Sequence, residues 1–282
     1  MNEVERINLD DYTQTGEGGT SLTYTSKDGK TLAKLYNPGY EAELAKEDFL
    51  TACTVYDLGI PSPKPYRLIT DGVRVGAEYE WIQGKRSFAR IISQEPERLE
   101  ELSVEFAQRA LQLHATEADT QRLHSTKQKM KRFYLENEGV VADYYKERVL
   151  RFLDTVPEAT TCLHGDLQIG NIITDGKRTL WIDLGGFGYG VPEWDLAFTW
   201  RMTHNTNAKI TEWLLHLTSD VLHQHWNLFL QSYLGTTNQQ RIEEATRKLL
   251  PYAAAKLPYM FYVATHKNLP DEVLKPMYKM LE

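Results

Sequence analysis

Residues able to handle charged oxygen cluster in the middle of the chain, in the run Leu163-His164-Gly165-Asp166 followed by Asn171 and Asp183. Two short apolar stretches, 171–174 and 179–182, flank Asp175-Gly176-Lys177-Arg178. β-branched residues on either side of an Asp-Gly turn predict a hairpin. Closing it sets the loop with Asp166 and Asn171 beside the loop with Asp183. Two carboxylates and an amide oxygen then converge, a hard donor set suited to magnesium. That ion is usually held by one or two carboxylates together with substrate phosphates. The chemistry implied is phosphoryl transfer. Each part alone is ordinary: His-x-Asp is common, and a single Asp at a strand end is more often a turn acid. The agreement of order, spacing and turn type is what points to a site.

The pattern His164-x-Asp166-x-x-x-x-Asn171, then Asp183-Leu184-Gly185, resembles the catalytic and metal-binding signature of the protein-kinase-like superfamily. The continuation to Gly188 and Asp195-Leu196-Ala197 resembles the aminoglycoside phosphotransferase and choline kinase family, most of all its aminoglycoside phosphotransferase side. The resemblance implies that Asp166 accepts or orients the proton of a substrate hydroxyl. It also implies that Asn171 and Asp183 hold Mg2+, and that Asp195 braces the loop as a buried acid. Leu184 stands where protein kinases usually carry Phe, a conservative departure.

The supporting elements follow from the rest of the chain. Residues 11–36 read as antiparallel strands around Gly16-Glu17-Gly18-Gly19-Thr20-Ser21 and an Asp28-Gly29 turn. Glycines let backbone N–H groups approach phosphate, so Gly16, Gly18 and Ser21 are candidate nucleotide contacts, although a plain flexible hairpin reads equally well. No helix follows the glycines, which excludes the dinucleotide-fold fingerprint. Lys34 alternates with Ala33 and Leu35 and faces the other side of the sheet. By itself it reads as a solvated strand lysine; in the kinase-like arrangement it meets the α- and β-phosphates. Apolar residues at helical spacing predict a helix over 40–58, stopped by Gly59-Ile60-Pro61. The family needs a Glu there to position Lys34; Glu47 is the first choice and Glu43 the second. Residues 78–84 resemble the hinge between lobes, with adenine held by the backbone of Glu80 and Ile82. Helices are predicted over 96–117, twice within 125–155, and from 196 almost to the end, with His114 a structural residue. The aromatic residues that stud the C-terminal region are mostly core, with a minority lining an acceptor site.

Composition bounds the partners. The 282 residues are 41% hydrophobic and 25% charged, with a formal net charge of −7. This ordinary globular usage argues against a general binder of nucleic acid or anionic membrane. The basic run 127–132 precedes Glu136, Glu138 and Asp143 and reads as a solvated helix face. Cys53 and Cys162 lack metal-type spacing and read as free thiols. The N-terminus has no secretory layout and no apolar run spans a membrane, so a cytoplasmic location is expected.

The expected fold is α+β and two-lobed, kinase-like: residues 1–82 form a small antiparallel-sheet lobe with one helix, and 83–282 a larger, mainly helical lobe. The expected activity is transfer of the γ-phosphoryl of ATP or GTP, with Mg2+, to a hydroxyl of a small molecule. A protein kinase fits less well: only eleven residues, with four glycines in the first seven, separate Asp183 from Asp195. A silent nucleotide-binding pseudokinase and a helical interaction protein are the other readings. The intact set Lys34, Asp166, Asn171 and Asp183 argues against both.

Overall fold

The computed structural model describes residues 4–17, 20–204 and 208–281. In chain order its elements begin with strands β1 (Glu5–Arg6), β2 (Tyr12–Glu17), β3 (Ser21–Ser26) and β4 (Thr31–Tyr36). Helix α1 (Ala42–Asp57) precedes β5 (Pro65–Thr70), β6 (Val75–Glu80) and β7 (Arg86–Ser87). Then come α2 (Phe88–Gln94), α3 (Leu99–His114), β8 (His124–Ser125), α4 (Thr126–Glu136) and α5 (Asp143–Thr155). Strands β9 (Cys162–Leu163), β10 (Ile172–Thr174), β11 (Thr179–Trp181) and β12 (Gly188–Tyr189) follow. The chain continues through α6 (Glu193–Thr203), α7 (Ala208–Leu215), α8 (Ser219–Leu234), α9 (Gln239–Thr265) and α10 (Asp271–Tyr278).

These elements form two compact units, one of residues 1–87 with 171–187, the other of 88–170 with 188–282. A single cut between 82 and 83 is therefore too simple. The chain re-enters the first unit because β10 pairs with β7, Ile173 opposite Ser87, and because the Trp181 N–H donates to the Pro61 carbonyl at 2.8 Å.

The first unit is built on a six-stranded sheet in the order β1-β5-β6-β4-β3-β2. It is antiparallel as expected except at its edge, where β1 runs parallel to β5. Alternation sorts its side chains. Ala33, Leu35 and Ile69 pack with Ile7 on one face, while Leu68 and Ala77 pack against Phe49 of α1. The Asp-Gly hairpin forms as its turn chemistry dictates: Asp175 Oδ1 accepts from the Lys177 and Arg178 N–H groups at 2.9 and 2.8 Å, and Gly176 takes a positive φ.

The second unit is mainly helical, with α3 packed on α8, α6 packed on α9, and a small sheet ordered β8-β12-β9. Trp194, Tyr134 and Tyr145 are buried in a core shared with Ala254 and Ala255 of α9. Helix α9 carries Pro251 and Pro258 inside it. Proline has no N–H, so Pro258 leaves the Ala254 carbonyl without its helical donor. The Tyr145 hydroxyl donates to that carbonyl at 2.9 Å, and the Tyr134 hydroxyl donates to the Ala255 carbonyl at 2.7 Å. The proline is tolerated because a tyrosine replaces the missing bond.

Candidate active site

In the first unit, β4 and the β10–β11 hairpin bring the expected residues together. Lys34 Nζ donates to Asp183 Oδ1 at 3.0 Å and lies 5.4 Å from the centre of the Tyr36 ring. The hairpin register pairs Ile172 with Trp181, and the Ile182 N–H donates to the Asn171 carbonyl at 2.9 Å. Asn171 and Asp183 thus flank the open end of one hairpin. Asp183 sits in the left-handed region, φ 60° and ψ 59°, and leads into a 3-10 turn at Leu184–Gly186. Such a conformation is uncommon for a residue with a Cβ, Asp and Asn adopting it most readily, and it persists where the surroundings over-determine it. Here the Lys34 bond and the packing of Gly185 do so: a Cβ on Gly185 would lie 2.6 Å from Asp48 Oδ1.

That contact corrects the assignment on α1. Glu47 is exposed and its carboxylate does not bond Lys34. The inward acid is its neighbour Asp48, which accepts from the Tyr36 and Tyr40 hydroxyls at 2.5 and 3.2 Å. Helical geometry explains the difference. Ala45, Phe49, Ala52 and Val55 form the buried stripe of α1; position 48 falls on it, whereas 47 points away. Tyr36 and Tyr40, their rings stacked 4.1 Å apart, are a further feature the sequence did not suggest.

The remaining expected nucleotide contacts vary in setting. Gly16 lies in β2 beyond a register shift, and a Cβ there would meet Thr23 Oγ1 at 2.6 Å, so this glycine serves close strand packing. Ser21 is buried opposite Tyr36, and Gly18 lies outside the described residues. At the end of β6 the Glu80 N–H donates to the Lys64 carbonyl at 2.8 Å, and its side chain accepts from Arg178 at 2.9 Å. Ile82 is buried with Ile173 and Leu180.

In the second unit the loop carrying Asp166 is fixed by its backbone. Asp195, fully buried on α6, accepts from the His164 N–H at 2.7 Å and the Gly165 N–H at 2.9 Å. His114 Nδ1 lies 2.8 Å from the Tyr233 hydroxyl, and its Nε2 lies 3.2 Å from Asp195 Oδ2. Burial pushes the Asp195 carboxyl up, but the bond to His114 and the electrostatic influence of His114, Lys256 and His164 outweigh it and hold the group below the usual range. Thr199 Oγ1 donates to the Leu167 carbonyl at 2.7 Å, and the Asp166 N–H donates to His164 Nδ1 at 3.3 Å. Asp166 itself is half-buried. Lys256 of α9, which no motif pointed to, donates from Nζ to the Gly165 carbonyl.

Among the described residues no group of three or more His, Cys, Asp or Glu forms a closed metal site. The amide of Asn171 and the carboxylate of Asp183 fit a different arrangement. A hard cation there would take its remaining oxygens from water and a phosphorylated ligand.

Solved structures share this fold. A choline/ethanolamine kinase family protein from Mesorhizobium loti superposes with a TM-score of 0.58 at 15% identity, over 96% of this chain and 88% of that one. The aminoglycoside phosphotransferase APH(2″)-IIa in its gentamicin complex gives 0.59 at 18% identity, over 96% and 91%. An ethanolamine kinase from Plasmodium vivax gives 0.57 at 16%, over 97% and 81%. These likenesses establish the α+β, protein-kinase-like fold. No curated protein sequence matches the chain. The model of the phosphotransferase enzyme family, however, matches residues 11–226, well over half of its length, and the chain belongs to that family.

Proposed function

We propose that this protein transfers the γ-phosphoryl group of ATP to a hydroxyl of a small molecule. The observation that carries the reading is Lys34 Nζ bonded to Asp183 Oδ1 at 3.0 Å, the aspartate held in a left-handed conformation at the end of the hairpin that also carries Asn171. Structures of similar fold support the nucleotide: one is a streptomycin–ATP–APH(2″)-IIa complex, another an amicoumacin kinase with AMP-PNP and Ca2+. ATP is accordingly preferred over GTP. In this reading Lys34 steadies the phosphates, with Gly16 and Ser21 near them and the backbone of Glu80 and Ile82 at the adenine. Asn171 and Asp183 hold magnesium, which when bound would neutralise charge on the phosphate oxygens. Asp166 takes the proton of the acceptor hydroxyl as the oxygen attacks phosphorus, and Asp195 keeps Asp166 in place. The acceptor is a hydroxylated small molecule. No described helix is long and apolar enough to cross a membrane, and the cytoplasm is the proposed location.

The test is hydrolysis of MgATP together with thermal stability. MgATP at millimolar concentration should raise the Tm, because a ligand selective for the native state stabilises it. Asp166→Ala should retain that shift while losing on the order of a hundred- to ten-thousandfold in turnover. No Tm shift in the wild type sinks the reading.

A further inference from the structure

Lys256 lies outside every motif and beyond residue 226, where the family match ends. It occupies the buried stripe of α9, one turn after Ala253 and two after Leu249, and is only 6% exposed. An ammonium withdrawn from water is costly unless it has partners. Its Nζ donates to the Gly165 carbonyl and lies 4.7 Å from the centre of the Phe198 ring. The loop is thus held from several sides. Asp195 takes the N–H groups of 164 and 165, His164 that of 166, Thr199 the carbonyl of 167, and Lys256 the carbonyl of 165.

We propose that Lys256 is a positioning residue for Asp166. It fixes the peptide unit that joins Gly165 to Asp166 and places positive charge behind the loop, favouring the ionised carboxylate. The inference rests on the reading of Asp166 as the acceptor-side base. The surroundings agree with it. Burial holds the Lys256 pKa below the usual lysine range, helped by Lys129 from α4, while Asp195 from α6 and Asp166 from the loop act in the opposite direction and favour the charged ammonium. His164 and His114 also face Asp195. His124 of β8 is kept neutral, its pKa lowered to about 3 by burial and by Lys129 and Lys256.

The variants are Lys256→Met, which keeps volume and removes donor and charge, and Lys256→Arg, which keeps both. Lys256→Met leaves the Gly165 carbonyl without its donor and should lower the Tm by roughly 3–10 °C while staying folded at assay temperature. It should lose roughly ten- to a hundredfold in kcat for MgATP hydrolysis with KM for ATP within about twofold. Loss of a cation raises the proton affinity of Asp166, so the acid limb of the kcat profile should move to higher pH, by roughly 0.5–1 unit. Amide exchange at 164–166 should quicken. Lys256→Arg should recover part of each effect. A folded Lys256→Met with unchanged kcat, pH profile and exchange overturns the inference, as does Lys256→Arg behaving no better than Met. A wild type that binds MgATP without turning it over defeats the enzyme reading instead; amide exchange then decides the role of Lys256 without reference to activity.

Discussion

Replacing Asp195 by Asn removes one charge from a fully buried group that accepts from two backbone N–H groups, at 2.7 and 2.9 Å, and pairs with His114 at 3.2 Å. The amide keeps one acceptor oxygen but must turn an NH2 toward one of those donors. Weakening two charge-assisted bonds to neutral strength costs about 1–2 kcal/mol each, and the donor left facing an NH2 adds about 1–3 kcal/mol. A loss of about 3–7 kcal/mol follows, which for a chain of this size lowers Tm by roughly 8–20 °C. Thermal unfolding followed by circular dichroism, with urea titration as a check, measures it. The pH dependence gives a second reading. A carboxyl whose folded pKa is depressed stabilises fully above its unfolded value of 3.8, and that contribution is lost as pH falls through the folded pKa. The gap between wild type and Asp195→Asn should therefore hold from about pH 8 to 5 and close only in acid below about pH 4. A Tm within 2 °C of wild type near pH 7 would falsify the claim that this carboxylate holds the loop, as would a gap that closes at higher pH.

Two further substitutions probe the first unit. In Gly76→Ala the new Cβ would lie 1.9 Å from the Lys34 carbonyl oxygen, a backbone atom that cannot step aside. It should cost about 3 kcal/mol or more and weaken MgATP binding through β4, measured by urea midpoint and titration calorimetry; a mild effect would mean the strands are not packed that closely. Asp48→Asn should lower MgATP affinity several-fold by loosening the Tyr36 and Tyr40 bonds, whereas Glu47→Gln should stay within about 0.5 kcal/mol in stability and leave binding alone. Equal effects from the two would return the α1 role to Glu47.

Turn chemistry and strand alternation were enough to read the β10–β11 hairpin and the side on which Lys34 stands, because both are local. The family resemblance asked for a Glu on α1, whereas the buried stripe through Ala45, Phe49 and Ala52 turns Asp48 inward. Strands β7, β8, β9 and β12 have two residues each, too few to show any period, and exist only because distant segments pair. The edge pairing of β1 with β5 is equally non-local. Lys256 was invisible for a related reason: its partner is a carbonyl 91 residues away, and a backbone atom leaves no signature in a side-chain pattern.

Proline inside a long helix is ordinarily where a chain bends under load. In α9 the vacated rung beside Pro258 is taken over by Tyr145, and Tyr134 secures the next one, so the segment bearing Lys256 is riveted by two neighbouring helices. A chain trimmed after α8 would keep every recognisable motif residue and yet lose the cation behind its reacting loop. On the role proposed for Lys256, the minimal working piece would be longer than residues 11–226, by which the family is identified.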